Sequence, residues 1–129
     1  MREVVRTDNA PAAVGPYSQA IKVSGGSLVF CSGQIALDPS AGELVGETAA
    51  EQCRRVMENL KAVLKAAGAD LSAVVKTTIF LVDLSDFVAV NEVYGSYFEN
   101  NPPARATAES AHLPKGALVE IDAVAVLGS

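Results

Sequence analysis

Residues 48–82 read TAAEQCRRVMENLKAVLKAAGADLSAVVKTTIFLV, a long amphipathic helix pattern followed by a β-rich run. Thr48 and Glu51 have the spacing of a capping box, in which each side chain satisfies a free backbone N–H at the start of a helix. Cys53, Val56, Met57, Leu60, Val63, Leu64 and Ala67 recur at intervals of three and four, which predicts one apolar stripe from about Thr48 to Ala67. Gly68 ends the pattern as a C-cap, and Cys53 within the stripe reads as an inert buried thiol. Val74 to Val82 is rich in β-branched residues and apolar on much of both faces, as in a central strand covered by helices.

Working outward, Phe87, Val90, Tyr94, Tyr97 and Phe98 share one side of a second predicted helix, roughly Asp86 to Phe98, which Pro102-Pro103 stops. Two last strands are expected at about Ala104–Ala111 and Ala117–Leu127, flanking the loop His112-Leu113-Pro114-Lys115-Gly116. Upstream, Val4-Val5, Ile21–Val23 and Leu28–Cys31 read as β-structure. Gly25-Gly26 is the expected hairpin turn, and Asp38–Gly42 a surface turn. The glycines lack the spacing of a phosphate-binding loop. Strands, helix, strand, helix, strands predicts an α+β fold, a sheet with two helices on one face.

The 129 residues fit a single domain, 1–129. Half are apolar and 19% charged, the balance of a compact globular chain. A mean hydropathy of +0.27 gives more apolar surface than a small monomer easily hides, which points to oligomerisation. The net charge is −5 and the basic residues are scattered, which argues against nucleic acid as a partner. No apolar stretch approaches the roughly 20 residues needed to cross a bilayer, so no membrane partner is expected. The charged Met1–Arg6 does not read as a signal sequence. Two cysteines without a paired spacing fit a reducing cytoplasm.

Arg105 is the only basic side chain between Lys76 and Lys115, set in the small-residue run Pro102–Ala108. The run alternates like a strand, with Arg105, Thr107 and Glu109 on one face. A guanidinium among methyl groups is costly unless it grips an anion. If the last two strands pair as an antiparallel hairpin, Arg105 and Glu120 come near registry. They would then form either a salt bridge or a cleft in which Arg105 holds a carboxylate while Glu120 handles a water or proton. Gly15–Gln19 presents a phenol (Tyr17), a hydroxyl and an amide on one turn, or simply a turn closed by its own hydrogen bonds. Gly33 leaves an N–H that a ligand could approach closely. His112 is the only histidine, so His-based metal clusters are ruled out, and a Ser-His-Asp arrangement has no nucleophile elbow to serve.

Together these pieces resemble the RidA (YjgF-type) family of reactive-intermediate deaminases. The resemblance runs from Asn9–Ala20 through Ser32–Ile35, Asn59–Leu64, Val75–Thr78, Val90–Tyr94 and Pro103–Arg105 to Leu113–Gly116 and the Glu120 strand. It implies a chorismate-mutase-like fold with a mixed sheet, assembled as a homotrimer with clefts between subunits. It also implies cofactor-independent hydrolysis of enamines and imines such as 2-aminoacrylate to 2-keto acid and ammonium, with no metal. By the same resemblance Arg105 pairs with the substrate carboxylate, Glu120 holds or activates water, Tyr17 and Asn91 line the cleft, and the Gly33 N–H helps hold the carboxylate. Many relatives have cysteine where Thr107 stands, so a thiol role there is excluded and a backbone contact from residue 107 survives. The family is also linked to chaperone-like holding and to ribonuclease or translation inhibition; the acidic charge counts against the latter.

Overall fold

The computed structural model describes residues 1–128. Its strands are β1 (Arg2–Val5), β2 (Ala20–Val23), β3 (Ser27–Gln34), β4 (Val74–Leu81), β5 (Ala104–Glu109) and β6 (Val119–Leu127). Helix α1 (Ala49–Ala66) joins β3 to β4, and α2 (Phe87–Tyr97) joins β4 to β5. β1 and β2 form an antiparallel ribbon. The other four strands make a mixed sheet in the order β3-β6-β4-β5, with β5 parallel to β4 and the remaining pairs antiparallel.

α1 begins where its local chemistry requires. The Thr48 hydroxyl accepts from the Glu51 N–H, and the Glu51 carboxylate accepts from the Thr48 N–H. The Thr48 and Glu47 N–H groups that donate to its carboxylate hold Glu51 below the usual carboxylate range. The stripe facing the sheet is Ala49, Gln52, Cys53, Val56, Met57, Leu60 and Leu64. It is narrower than predicted, since Val63 and Ala67 lie outside it, and it includes a polar member. Gln52 is admitted because both ends of its amide are spent, accepting from the Leu118 N–H and donating to the Gly46 carbonyl. Burial pushes the Cys53 thiol up to about 12, in keeping with an inert core cysteine.

Two expected pairings are not made. Gly25 and Gly26 both have positive φ, as a tight turn asks. The turn nevertheless leads out of one sheet into the other, because β2 pairs with β1 and β3 with β6. The hairpin of the last two strands is also absent: β4 lies between β5 and β6, hydrogen-bonded to both. Only a parallel β5 lets α2 return the chain across the sheet, as a crossover helix does.

β4 is central, as expected, but helices cover it on one face only. Thr77, Ile79 and Leu81 of β4 and Val119, Ile121, Ala123 and Ala125 of β6 are buried on that face, with the apolar residues of α1 and α2. Alternation puts Leu28, Phe30, Phe80, Glu120 and Val124 on the opposite face. There Leu28 is 60% and Phe30 73% exposed, leaving a sheet face with aromatic and aliphatic side chains in water.

Candidate functional site

Arg105 lies in register with Thr77 on the neighbouring β4, so its side chain rises on the helix-covered face. α2 meets it with a stripe spaced i, i+4, i+7. The Asn91 Oδ1 accepts from Arg105 Nη1 at 2.8 Å. The rings of Phe87 and Tyr94 have their centroids 5.5 and 5.2 Å from the guanidinium carbon. Tyr17 contributes a third ring at 5.3 Å. Aromatic faces at this range attract a cation but do not neutralise it. Among the described residues the one ion pair is Lys61 with Glu58, and Arg105 Nε and Nη2 find no acceptor. Burial pulls the Arg105 pKa down, with Tyr94 and Tyr17 opposing the shift. A guanidinium stays charged regardless, so the chain holds an oriented cation with two free donor groups.

The turn before β2 delivers Tyr17. The Tyr17 N–H donates to the Gly15 carbonyl at 2.8 Å, and the Tyr17 hydroxyl accepts from the Val14 N–H at 3.3 Å. Its own O–H proton thus remains available. Ser18 and Gln19 serve the turn itself. Ser18 bonds the carbonyls of Pro102 and Pro103, and the Gln19 amide ties Thr7 to Pro11. Of the three polar groups singled out there, one faces Arg105 and two fix the loop.

Thr107 is two residues along β5 on the same face as Arg105, opposite Ile79. Its hydroxyl oxygen is buried and without a hydrogen-bond partner among the described residues.

Gly33 and Glu120 come together elsewhere. Glu120 pairs with Phe80 and projects to the helix-free face. Any Cβ at residue 33 would collide with Glu120 Oε2, so the glycine makes room for the carboxylate. The extra residue in β3 at this level, a bulge between Cys31 and Gln34, brings Gly33 against Glu120. Arg105 and Glu120 therefore occupy opposite faces of the sheet, and neither a salt bridge nor an intrachain cleft joins them. The reason is register: on the shared ruler of β4, Arg105 stands at Thr77 and Glu120 at Phe80, an odd offset.

One chain thus presents two candidate half-sites on opposite faces of the sheet: a cation with Asn91 and Tyr17, and a carboxylate against Gly33. The family model described as Endoribonuclease L-PSP matches residues 7–127. The chain belongs to this family, that of the YjgF and RidA proteins. Protein DfrA of Myxococcus xanthus is 58% identical over 125 residues, covering 97% of this chain and 95% of the relative. The 2-iminobutanoate/2-iminopropanoate deaminase of Mus musculus is 49% identical over 128 residues, covering 99% and 93%. Among solved structures, E. coli TdcF with bound serine is 40% identical, with a TM-score of 0.73 over 96% of this chain and 98% of that one.

For a RidA-family chain, the residues that sequence reasoning missed are Phe87 and Tyr94. Both read as core on the apolar side of α2, and Tyr94 is indeed fully buried. Their spacing with Asn91 was the available signal, since an amide at the middle of an aromatic stripe marks a face that meets something polar.

Proposed function

We propose that this protein is a cofactor-independent deaminase that hydrolyses enamines and imines such as 2-aminoacrylate, 2-iminopropanoate and 2-iminobutanoate. The products are a 2-keto acid and ammonium, and the benefit is protection of pyridoxal-phosphate enzymes from these electrophiles. The observation that carries the reading is Arg105: a partly buried cation, aimed by Asn91, ringed by aromatic faces and without a carboxylate partner among the described residues. The deaminase relatives supply the reaction class, and serine in the TdcF structure is a small carboxylate of the right kind.

The reading includes a chorismate-mutase-like homotrimer with clefts between subunits. The opposite placement of the half-sites supports it, because one chain cannot bring Arg105 and Glu120 to one small substrate. The exposed Leu28 and Phe30, on the same sheet face as Glu120, support it too, since a second subunit would cover them. In the assembled cleft Arg105 of one subunit grips the substrate carboxylate, a charge-assisted contact worth roughly 1.5–3 kcal/mol. The Gly33 N–H of the facing subunit adds a donor, and the backbone at Thr107 borders the same anion. The Glu120 carboxylate takes a proton from water as its oxygen attacks the imine carbon, giving a carbinolamine. Tyr17 hydrogen-bonds the nitrogen, which receives that first proton; Glu120 then carries the carbinolamine hydroxyl proton to the same nitrogen, and ammonia leaves as the carbonyl forms. The two buried, unpaired cysteines suit a reducing cytoplasm.

The test couples the protein to a serine or threonine dehydratase and traps the imine with semicarbazide. Wild type should lower semicarbazone formation and Arg105→Ala should not. Equal behaviour of the two proteins removes the deaminase reading. RNA cleavage that persists in Arg105→Ala would favour a ribonuclease role, and persistent suppression of aggregation a chaperone-like one.

A further inference from the structure

The Arg105 half-site rests on a buried polar pair that apolar packing alone does not call for. Tyr94 is fully buried, in the core cluster that also holds Val90, Cys53, Val74 and Ile79, and Thr77 is almost as deeply buried. Their hydroxyls share a hydrogen bond of 2.7 Å. A core that required only volume would be served by phenylalanine and valine at these places, without the cost of burying two hydroxyls. What the pair adds is position. Thr77 is the β4 residue in register with Arg105, so the bond fixes the depth of α2 at the level where the guanidinium leaves β5. The Tyr94 ring, tilted against Phe98 with centroids 4.9 Å apart, is then the floor beneath Arg105 at 5.2 Å. Asn91, three residues before Tyr94 on the same helix, moves with that ring and holds Nη1.

We propose that Tyr94 and Thr77 are positioning residues for the carboxylate grip: their hydrogen bond sets the height of Phe87, Asn91 and Tyr94 against β5 and so aims the free donors of Arg105. The inference rests on Arg105 being that grip. It predicts that the pair acts on affinity for the carboxylate more than on the chemical step. A misplacement of the donors by a fraction of an ångström weakens a directional contact without altering the water or the base on the facing subunit.

The test uses the intact protein with Tyr94→Phe, Thr77→Val, Thr77→Ser, the Tyr94→Phe/Thr77→Val double variant and Arg105→Ala. Pyruvate, a product keto acid, is titrated calorimetrically beside uncharged pyruvamide, and kcat, KM and Tm are measured for each protein. Tyr94→Phe and Thr77→Val should each weaken pyruvate binding about five- to tenfold and raise KM in step. Changes in kcat should stay within about twofold, and pyruvamide should bind every variant as it binds wild type. The double variant should be no worse than either single change, because both remove one bond. Thr77→Ser, which keeps the hydroxyl, should restore affinity, and it reports even where Tyr94→Phe fails to fold. Loss of Tm with unchanged pyruvate affinity overturns the positioning role and leaves a stability role. If Arg105→Ala weakens pyruvate but the pair variants do not, this inference falls and the grip stands. If Arg105→Ala binds pyruvate like wild type, the grip itself is wrong and its positioning falls with it.

Discussion

Opposite placement of Arg105 and Glu120 makes a quantitative prediction about mixed assemblies. Arg105→Ala removes a charge-assisted contact, so its catalytic efficiency should fall roughly ten- to a hundredfold. Glu120→Gln removes the proton acceptor and should lower kcat by about 10²- to 10⁴-fold. In the proposed homotrimer, each homogeneous variant keeps one intact half-site per chain, facing a damaged partner. When the two chains are co-expressed in equal amounts and assemble at random, a cleft works only if its arginine comes from a Glu120→Gln chain and its glutamate from an Arg105→Ala chain. Each condition is met half of the time, so about one quarter of wild-type activity should return in a cyclic assembly. Differently tagged chains, purified through both tags and assayed by dehydratase coupling with semicarbazide trapping, give the measurement. Tag-selected mixed trimers should exceed that quarter slightly, because the inactive homotrimers are removed. A mixture no more active than its parents would refute the reasoning, since that result requires both residues to serve one site from one chain.

Three further outcomes follow from the geometry. Gly33→Ala places a Cβ where Glu120 Oε2 now lies; the flexible carboxylate should swing away, costing little stability but lowering kcat about tenfold or more, read by steady-state kinetics beside a melting curve. Phe30→Lys puts a charge on the uncovered sheet face and should shift sedimentation towards monomer with loss of activity, whereas a variant that stays assembled and active would mean that this face is not the interface. N-ethylmaleimide should leave native activity intact, because Cys31 and Cys53 are both buried, burial raises both thiols, and residue 107 offers a hydroxyl instead of a thiol; mass spectrometry should find adducts only after denaturation.

Local chemistry made part of this molecule legible in advance. The capping box at Thr48 and Glu51 and the breaker at Gly68 act within a few residues, so α1 was placed nearly to the residue. Arg105 was conspicuous because a lone charge in an alanine run is legible without any fold. Pairing was not legible, because nothing within β5 or β6 states that β4 will insert between them. The hairpin expected in its place would have put Arg105 and Glu120 on one face, and the inserted strand changes their parity. Gly25-Gly26 shows the same limit: the turn chemistry was right, while the partner of each flanking strand depended on distant residues. Tyr94 escaped notice because a buried aromatic on an apolar helix face looks alike whether it only packs or also supports a charge.

The turn that delivers Tyr17 has a second effect. Ser18 makes a parallel bridge with Ala104, and its N–H bonds the Pro103 carbonyl, so the outer rim of the sheet is occupied where β5 begins. A free outermost strand is a template on which further copies can stack without limit. The segment that brings a phenol to the guanidinium is therefore also a stopper against open-ended strand addition. Trimming the first eighteen residues should leave the β5 edge open and make the protein inclined to grow fibrils, read by thioflavin fluorescence.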